Sequence, residues 1–462
     1  MQLILRHQIW FLIQEKGLPQ ELETVIFDLW ALRVAQLGDR IASESQDTES
    51  QSQSQSQVFS TLDTDESGTD DERIAISASK GRDKKLEGVP NLYDCLVLCY
   101  LGTSTLRLPV TPGDMYAWTT DSKMPYRQAI KIVPLLMRDR LPPSYHAILD
   151  PPKLLRHRRF YTTLTNLEIS YEKVHGILWP PLNTPLLLIR YIKELALPLE
   201  LYDATLRLAD LLGHNFALEH DGRKQLGLRH LPEAQLIGCF VVCVKLFYPF
   251  DKIRRLPKSS SEPAVSVVDW KAWCKQMSKA KRNQQMFSSD FTNEEFTQLQ
   301  EDDVFQLLPK QLDQYLDFYN DTFLDDGKIQ RTKHNNDFKN ALYGMFPIDN
   351  VGREATVQPA EVSAHELKLE TVRAVHGRMK TRAIVRDDQD EAGVLRPGQS
   401  YPMWKKVDDV PDRAAVFYNE AARLAGFSMG MLVTAVFTTE CRIEQWRRTQ
   451  SKGKKNAATA VS

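Results

Sequence analysis

Residues 138–159 set Arg138, Arg140, Lys153, Arg156, Arg158 and Arg159 against Asp139 and Asp150. Just upstream, Arg127 and Lys131 stand four apart in "MPYRQAIKIVPLLMRDRLP" (124–142), which reads as a basic amphipathic helix with both cations on one face. Residues 252–282 hold nine Lys or Arg, beginning with Lys252, Arg254, Arg255 and Lys258, against Glu262 and Asp269. Forked or mobile cations on a solvent face suit phosphate groups, and they supply affinity that does not depend on base sequence. A helix following a short turn, as in 111–140, is also a shape that can enter a groove. The chemistry open to these residues is binding of a polyanion. The competing reading is a solvated basic face, or one that meets acidic protein.

Bond-making chemistry has no comparable support. There is no Gly-x-Ser-x-Gly, no His-Glu-x-x-His, no phosphate-binding loop and no dinucleotide fingerprint. Carboxylates concentrate between Ser43 and Glu72, where nine acidic residues meet no basic one. Removing those nine negative charges from a formal total of −1 leaves +8 on the remainder. The same segment contains "SESQDTESQSQSQSQ", too poor in apolar side chains to build a core, so 40–90 is expected to be a disordered acidic insertion. "DTDESGTDDERI" (63–74) resembles a calcium loop at Asp63, Asp65, Ser67 and Gly68, but Ile74 occupies the position of the bidentate Glu. Ser60, Ser67 and Thr69 each precede an acid by three residues, a pattern open to acidophilic kinases.

The six cysteines form no Cys-x-x-Cys and match no zinc spacing. Cys95/Cys99 and Cys239/Cys243 sit four apart in apolar helical runs, as small buried core residues do, which fits a reducing, intracellular compartment. With 42% hydrophobic and 26% charged residues the chain can fill a globular core. No apolar run reaches the roughly 18 residues of a membrane span, so no membrane partner is expected.

The elements that must carry the cations repeat. "LIQEKGLPQELETVIFDLWALR" (12–33) and "YIKELALPLELYDATLRLADLL" (191–212) align at an offset of 179, with eight identities in the 21 positions from Ile13 to Arg33. Each reads as helix, Leu-Pro turn, helix. The cysteine pairs follow at an offset of 144, in "LYDCLVLCYLGTSTL" and "LPEAQLIGCFVVCVKLFYPFD"; the acidic insertion accounts for the 35-residue difference. A helix apolar on all sides must be surrounded by others. The predicted fold is all-α: two tandem cyclin-box-like bundles, then a C-terminal helical domain. Boundaries fall at 1–150, 151–260 and 261–449, with 450–462 a disordered tail. Trp10, Trp30 and Trp118 lie on apolar stripes and are expected in the core. Trp270 and Trp273, beside basic residues, read as a partner interface. Within the helical stretch 292–323, "DDVFQLLPKQLDQYLDFY" (302–319) carries an apolar stripe with acidic flanks and is expected to dock the C-terminal helices or another subunit.

"LRHQIWFLIQEKGLPQELETVIFDLWALR", "DCLVLCYLGTSTLRLPVTPGDMYAW", "PPLNTPLLLIRYIKELALPLELY", "YNEAARLAG" and "LVTAVFTTECRIEQW", with the segments above, resemble the TFIIB-like subunit of the RNA polymerase I core factor, whose animal counterpart is the B-like subunit of selectivity factor one. The resemblance covers nearly all of the patterned chain. It implies a non-enzymatic initiation factor in the nucleus and nucleolus. The implied partners are ribosomal promoter DNA, RNA polymerase I, the other core-factor subunits and TATA-binding protein. The resemblance, more than the charge count, turns the basic clusters toward DNA. That family begins with a zinc ribbon; here the first helix starts at Met1 and no ribbon cysteines occur, so no zinc or other cofactor is assigned to this chain. Two alternatives stay open: a cyclin-type kinase regulatory subunit, and a ribbonless form that binds partners without recruiting polymerase.

Overall fold

The computed structural model describes residues 1–47, 90–151, 154–218, 226–251, 253, 255–286, 296, 307, 309–323, 364–385 and 395–459. The calcium-like loop, Ser60, Ser67, Thr69, Lys153, Lys252 and Arg254 lie outside them. Among the described residues the regular secondary structure is helical apart from β1 (Ser266–Val267), which pairs antiparallel with β2 (Lys380–Thr381).

The first bundle contains α1 (Gln2–Trp10), α2 (Glu21–Asp47), α3 (Leu92–Thr105) and α4 (Pro112–Thr120). Two short helices follow, α5 (Leu135–Arg138) and α6 (Pro143–Leu149), then α7 (His157–His175). The centre is α3. Asn91 caps it, its side chain accepting the Asp94 amide at 3.1 Å, and every residue from Leu92 to Thr103 is buried. With no polar face to show to water, α3 is covered by α1, α2 and α7. Tyr171 on α7 reaches across to donate to the Leu29 carbonyl on α2 at 2.7 Å.

The second bundle opens with α8 (Thr184–Glu194), α9 (Glu200–Leu212) and α10 (Pro232–Phe247). Pro232 starts α10, where a missing amide costs nothing, and burial runs unbroken from Ala234 on to Lys245 except at Gln235. Among the described residues three helices follow it, α11 (Trp270–Met286), α12 (Pro309–Phe323) and α13 (Ala364–His376). The chain then returns as α14 (Asp412–Ala425) and α15 (Met429–Thr459), and α15 packs along α10. Helix α7 lies on the first bundle, and α14 and α15 cover the second. Burying each large side chain of α10 contributes about 1.5–3 kcal/mol, and among the described residues α9 and α15 pack along it.

The Leu-Pro repeat has a structural basis. Gly17 (φ 65°) and Ala196 (φ 49°) both take the left-handed conformation immediately before Leu18 and Leu197. The closing bonds run from the Leu18 amide to the Leu12 carbonyl (3.2 Å) and from the Leu197 amide to the Ile192 carbonyl (3.0 Å). The first spans one residue more, because a π turn at Phe11–Glu15 ends α1. The aligned Leu22 and Leu201 are both completely buried.

Other expectations give way. Helix α2 runs on to Asp47 and α15 to Thr459, into segments predicted to be disordered; Ala42, Glu44, Lys454, Lys455, Ala457 and Ala458 are good helix formers. Residues 124–140 are not one helix. Pro125 and Pro134 interrupt them, leaving a 3-10 turn at Ala129–Ile132 and the single turn of α5. Trp10 is 57% exposed, because Ile4, Leu5 and Ile9 face the core and Trp10 shares the outer face with Leu3. Trp30 and Trp118 are half-buried against the core. Trp270 and Trp273 form no free interface: they are 6% and 0% exposed. Their indole N–H groups donate to Tyr248 and Leu195 carbonyls, and Phe417 of α14 packs on both rings.

Candidate nucleic-acid interface

Helix α7 begins in an electrostatically unusual way. Arg156 is its N-cap with no side-chain capping bond, and its first turn contains no acid. A helix N-terminus carries about half a positive charge and several orphan amides, and normally recruits Asp, Glu or Ser there. Here Arg156, Arg158 and Arg159 are exposed in its place. Burial lowers the pKa of His157, which stacks on Tyr116 at 4.2 Å. The arrangement concentrates positive potential that an anion would relieve.

Aromatic packing ties these arginines to the preceding loop. The Arg159 guanidinium lies 4.9 Å over Tyr93, and the Arg156 amide donates to the Tyr93 hydroxyl. Tyr93 packs edge-on against Tyr126, 5.7 Å away. Next to Tyr126, Arg127 is half-buried; burial lowers its pKa while nearby Asp150 opposes the shift. Asp150 also accepts the Gln128 amide, fixing that residue in the left-handed region (φ 48°). Lys131 is half-buried in the 3-10 turn and Arg140 is exposed beyond α5.

Two of the predicted phosphate ligands serve the fold. Arg138 is 7% exposed; its Nε donates to the Val133 carbonyl at 2.6 Å and its Nη2 to the Lys131 carbonyl. Arg255 is 2% exposed, forked onto Asp251 at 2.8 Å through both Nη atoms and bonded to the Gln399 and Ser400 carbonyls. It joins the end of the second bundle to the segment at 399–400. Lys258 is exposed, its amide donating to Glu262. Contacts thus link Arg156 and Arg159 to Tyr93 and, through Tyr93, to Tyr126, beside which Arg127 stands in the chain. Arg138→Ala should cost about 1–3 kcal/mol by stranding two buried carbonyls. Arg140→Ala should change stability by less than about 0.5 kcal/mol. Denaturant titration of both variants checks the assignment.

The sequence reading passed over one basic run. Arg442, Arg447, Arg448, Lys452, Lys454 and Lys455 lie along the end of α15 against Glu444. Arg442 is engaged, donating to the Leu212 carbonyl and lying beside His214, while Arg448 is exposed. The signal lies in "CRIEQWRRTQSKGKK", which straddles the expected limit at 449 between the C-terminal helical domain and the tail, so the run is split between the two.

Among the described residues no group of three or more His, Cys, Asp or Glu side chains could hold a metal ion. The cysteines fit zinc poorly: Cys95, Cys99, Cys239 and Cys243 are buried, and burial pushes the Cys95 and Cys243 thiols up to about 12. No single described helix is long and apolar enough to cross a membrane.

Two tandem cyclin-like helical units, one bearing a basic face, define the class of protein. Family models agree: residues 1–135 match the Rrn7/TAF1B N-terminal cyclin domain and residues 153–323 the Rrn7/TAF1B C-terminal cyclin domain. The chain belongs to the Rrn7/TAF1B family. It is 22% identical over 293 residues to the RNA polymerase I-specific transcription initiation factor rrn7 of Schizosaccharomyces pombe, covering 60% of this chain and 54% of that one. To the Saccharomyces cerevisiae factor RRN7 it is 20% identical over 356 residues, covering 75% and 61%. The chain therefore spans between half and two-thirds of the length of these relatives. A crystal structure of S. cerevisiae core factor superposes with a TM-score of 0.49 at 17% identity, covering 99% of this chain and 96% of that one.

Proposed function

We propose that the chain is an RNA polymerase I-specific initiation factor subunit that acts in the nucleus and nucleolus, within a complex of the core-factor kind. Its first bundle lies on ribosomal promoter DNA, and the remainder meets the other subunits, TATA-binding protein and the polymerase. The mechanism is scaffolding, with no bond made or broken: phosphates are neutralised and the duplex is held in one position. The observation that carries the DNA contact is the acid-free start of α7, where Arg156, Arg158 and Arg159 stand exposed at a positive helix end. A solvated face has no reason to stack three arginines where the helix dipole repels them. Family membership supplies the identity of the polyanion.

The test is binding of the full chain with co-expressed partner subunits to a ribosomal promoter duplex, across a salt series. Replacing Arg156, Arg158 and Arg159 by Glu should weaken binding on every sequence. It should flatten the dependence of log K on log salt by about 0.9 per lost phosphate contact, up to about 3 in total. An unchanged slope in the triple variant would remove the contact from α7.

A further inference from the structure

We propose that α5 is an apolar wedge that enters the duplex at one base step when the basic face engages DNA. The proposal rests on the DNA reading above and deepens it. Leu136 is 79% exposed and Met137 55% exposed, side by side on a single helical turn. Isolated exposed apolar residues are ordinary; two adjacent ones on a stiff projection are not. The stiffness has identifiable sources. Pro134 fixes the entry, and its carbonyl accepts the Met137 and Arg138 amides at 2.9 and 3.0 Å. The buried Arg138 guanidinium holds the turn from beneath through the Val133 and Lys131 carbonyls. His146 bonds the Arg138 carbonyl at 3.2 Å from α6. The projection is therefore fixed with its apolar tip outward.

Its surroundings choose the occupant. Arg140 stands three residues beyond Met137, past Asp139, its amide bonded to the Met137 carbonyl. From Arg138 to the Lys131 carbonyl of the 3-10 turn, and from Gln128 at its start to Tyr126, Tyr93 and then Arg156 and Arg159, a path of contacts runs from the tip to these cations. A protein partner for Leu136 and Met137 would have to desolvate or neutralise these cations. A duplex supplies phosphates on both sides of every base step, and Leu or Met side chains are among those that unstack such steps and kink the helix.

The experiment uses the full chain with its co-expressed partner subunits and ribosomal promoter duplexes carrying 2-aminopurine at successive positions. Wild-type protein should raise the fluorescence several-fold at one step. Leu136→Ser with Met137→Ser, and the milder Leu136→Ala, should abolish or reduce that rise while the salt slope of binding stays unchanged. The triple Arg-to-Glu variant should flatten the slope. Wild-type binding with no step lit would overturn the wedge and leave the DNA reading standing. Failure of the wild type to bind the duplex would overturn both. Loss of partner subunits from the Ser variant, with the fluorescence rise retained, would make the tip a protein contact and overturn the wedge.

Discussion

Replacing Gly426 with alanine should destabilise the protein by about 2–5 kcal/mol. Two costs add. Gly426 caps α14 at φ 81°, ψ 34°, a conformation that costs a residue with Cβ about 1–2 kcal/mol. The added carbon would also overlap the Gly113 amide nitrogen and lie 2.6 Å from the Pro112 carbonyl carbon, where overpacking costs about 1–3 kcal/mol. The reciprocal change, Gly113→Ala, would press on the Arg423 carbonyl and stand 2.7 Å from that of Leu424. Two backbones touch here: the start of α4 in the first bundle and the end of α14, more than 300 residues later in the chain.

The contact is built to be closed. The Thr111 hydroxyl donates to the Leu424 carbonyl at 2.8 Å, Tyr161 donates to the Ala425 carbonyl at 3.2 Å, and Tyr161 stacks on Phe427 at 4.7 Å with rings 6° from parallel. Asp114, which closes the capping box of α4, also pairs with Arg190 on α8. Tyr100 of α3 donates to Glu233 at the start of α10 at 2.6 Å. The junction between bundles is therefore a set of directional bonds around one glycine pair. Guanidinium titration measures the loss, and hydrogen exchange at 111–114 and 423–427 locates it. Because both glycines fill one gap, the double variant should cost less than the sum of the singles. A change below about 1 kcal/mol in Gly426→Ala would mean the backbones are not held together.

What could be read from sequence follows from where each determinant lies. The Leu-Pro turns were legible because local chemistry makes them: a left-handed residue, then Leu-Pro, then a helix whose first inward position is Leu22 or Leu201. The central helices were legible because composition alone requires cover on all sides. The cover itself was not legible for the second bundle, since α14 and α15 are separated from α10 by well over 100 residues. Trp270 and Trp273 were misread for the same reason: Phe417, which buries them, has no sequence relation to them. Arginines were the hardest. Arg138 and Arg255 differ from Arg140 and Arg158 in what covers them: Arg138 folds back onto the Val133 and Lys131 carbonyls, and Arg255 binds Asp251 together with the distant Gln399 and Ser400 carbonyls. The break in 124–140 was announced by Pro125 and Pro134 and lost to the apolar periodicity around them.

Removing one partner of the Lys245–Glu440 pair should cost about 3–5 kcal/mol, as large an effect as any single substitution here. Both side chains are 2% exposed, with Nζ 2.6 Å from Glu440 Oε1. The Lys245 ammonium also donates to the Pro402 carbonyl at 2.9 Å and lies 3.9 Å from the Trp404 ring centre; Tyr401 donates to the same Glu440 oxygen at 2.6 Å. Burial nonetheless lowers the Lys245 pKa against the pull of Glu440, and raises that of Glu440 against Lys245 and Tyr401. Both groups shift toward neutrality, so desolvation outweighs attraction. A buried pair in that condition should be harmful to break and cheap to replace. Lys245→Met alone should be severely destabilised, whereas Lys245→Met with Glu440→Leu should come within about 1 kcal/mol of wild type or exceed it. The sign of the pH response separates the two. In Lys245→Met the lone carboxyl binds its proton more tightly folded than unfolded. Stability relative to wild type should therefore recover as pH falls through the raised folded value toward the ordinary 4.5, and the double variant should show no such recovery. A single variant as stable as the double, at neutral pH, would mean that Glu440 finds water there and that α10 and α15 are not sealed at this pair.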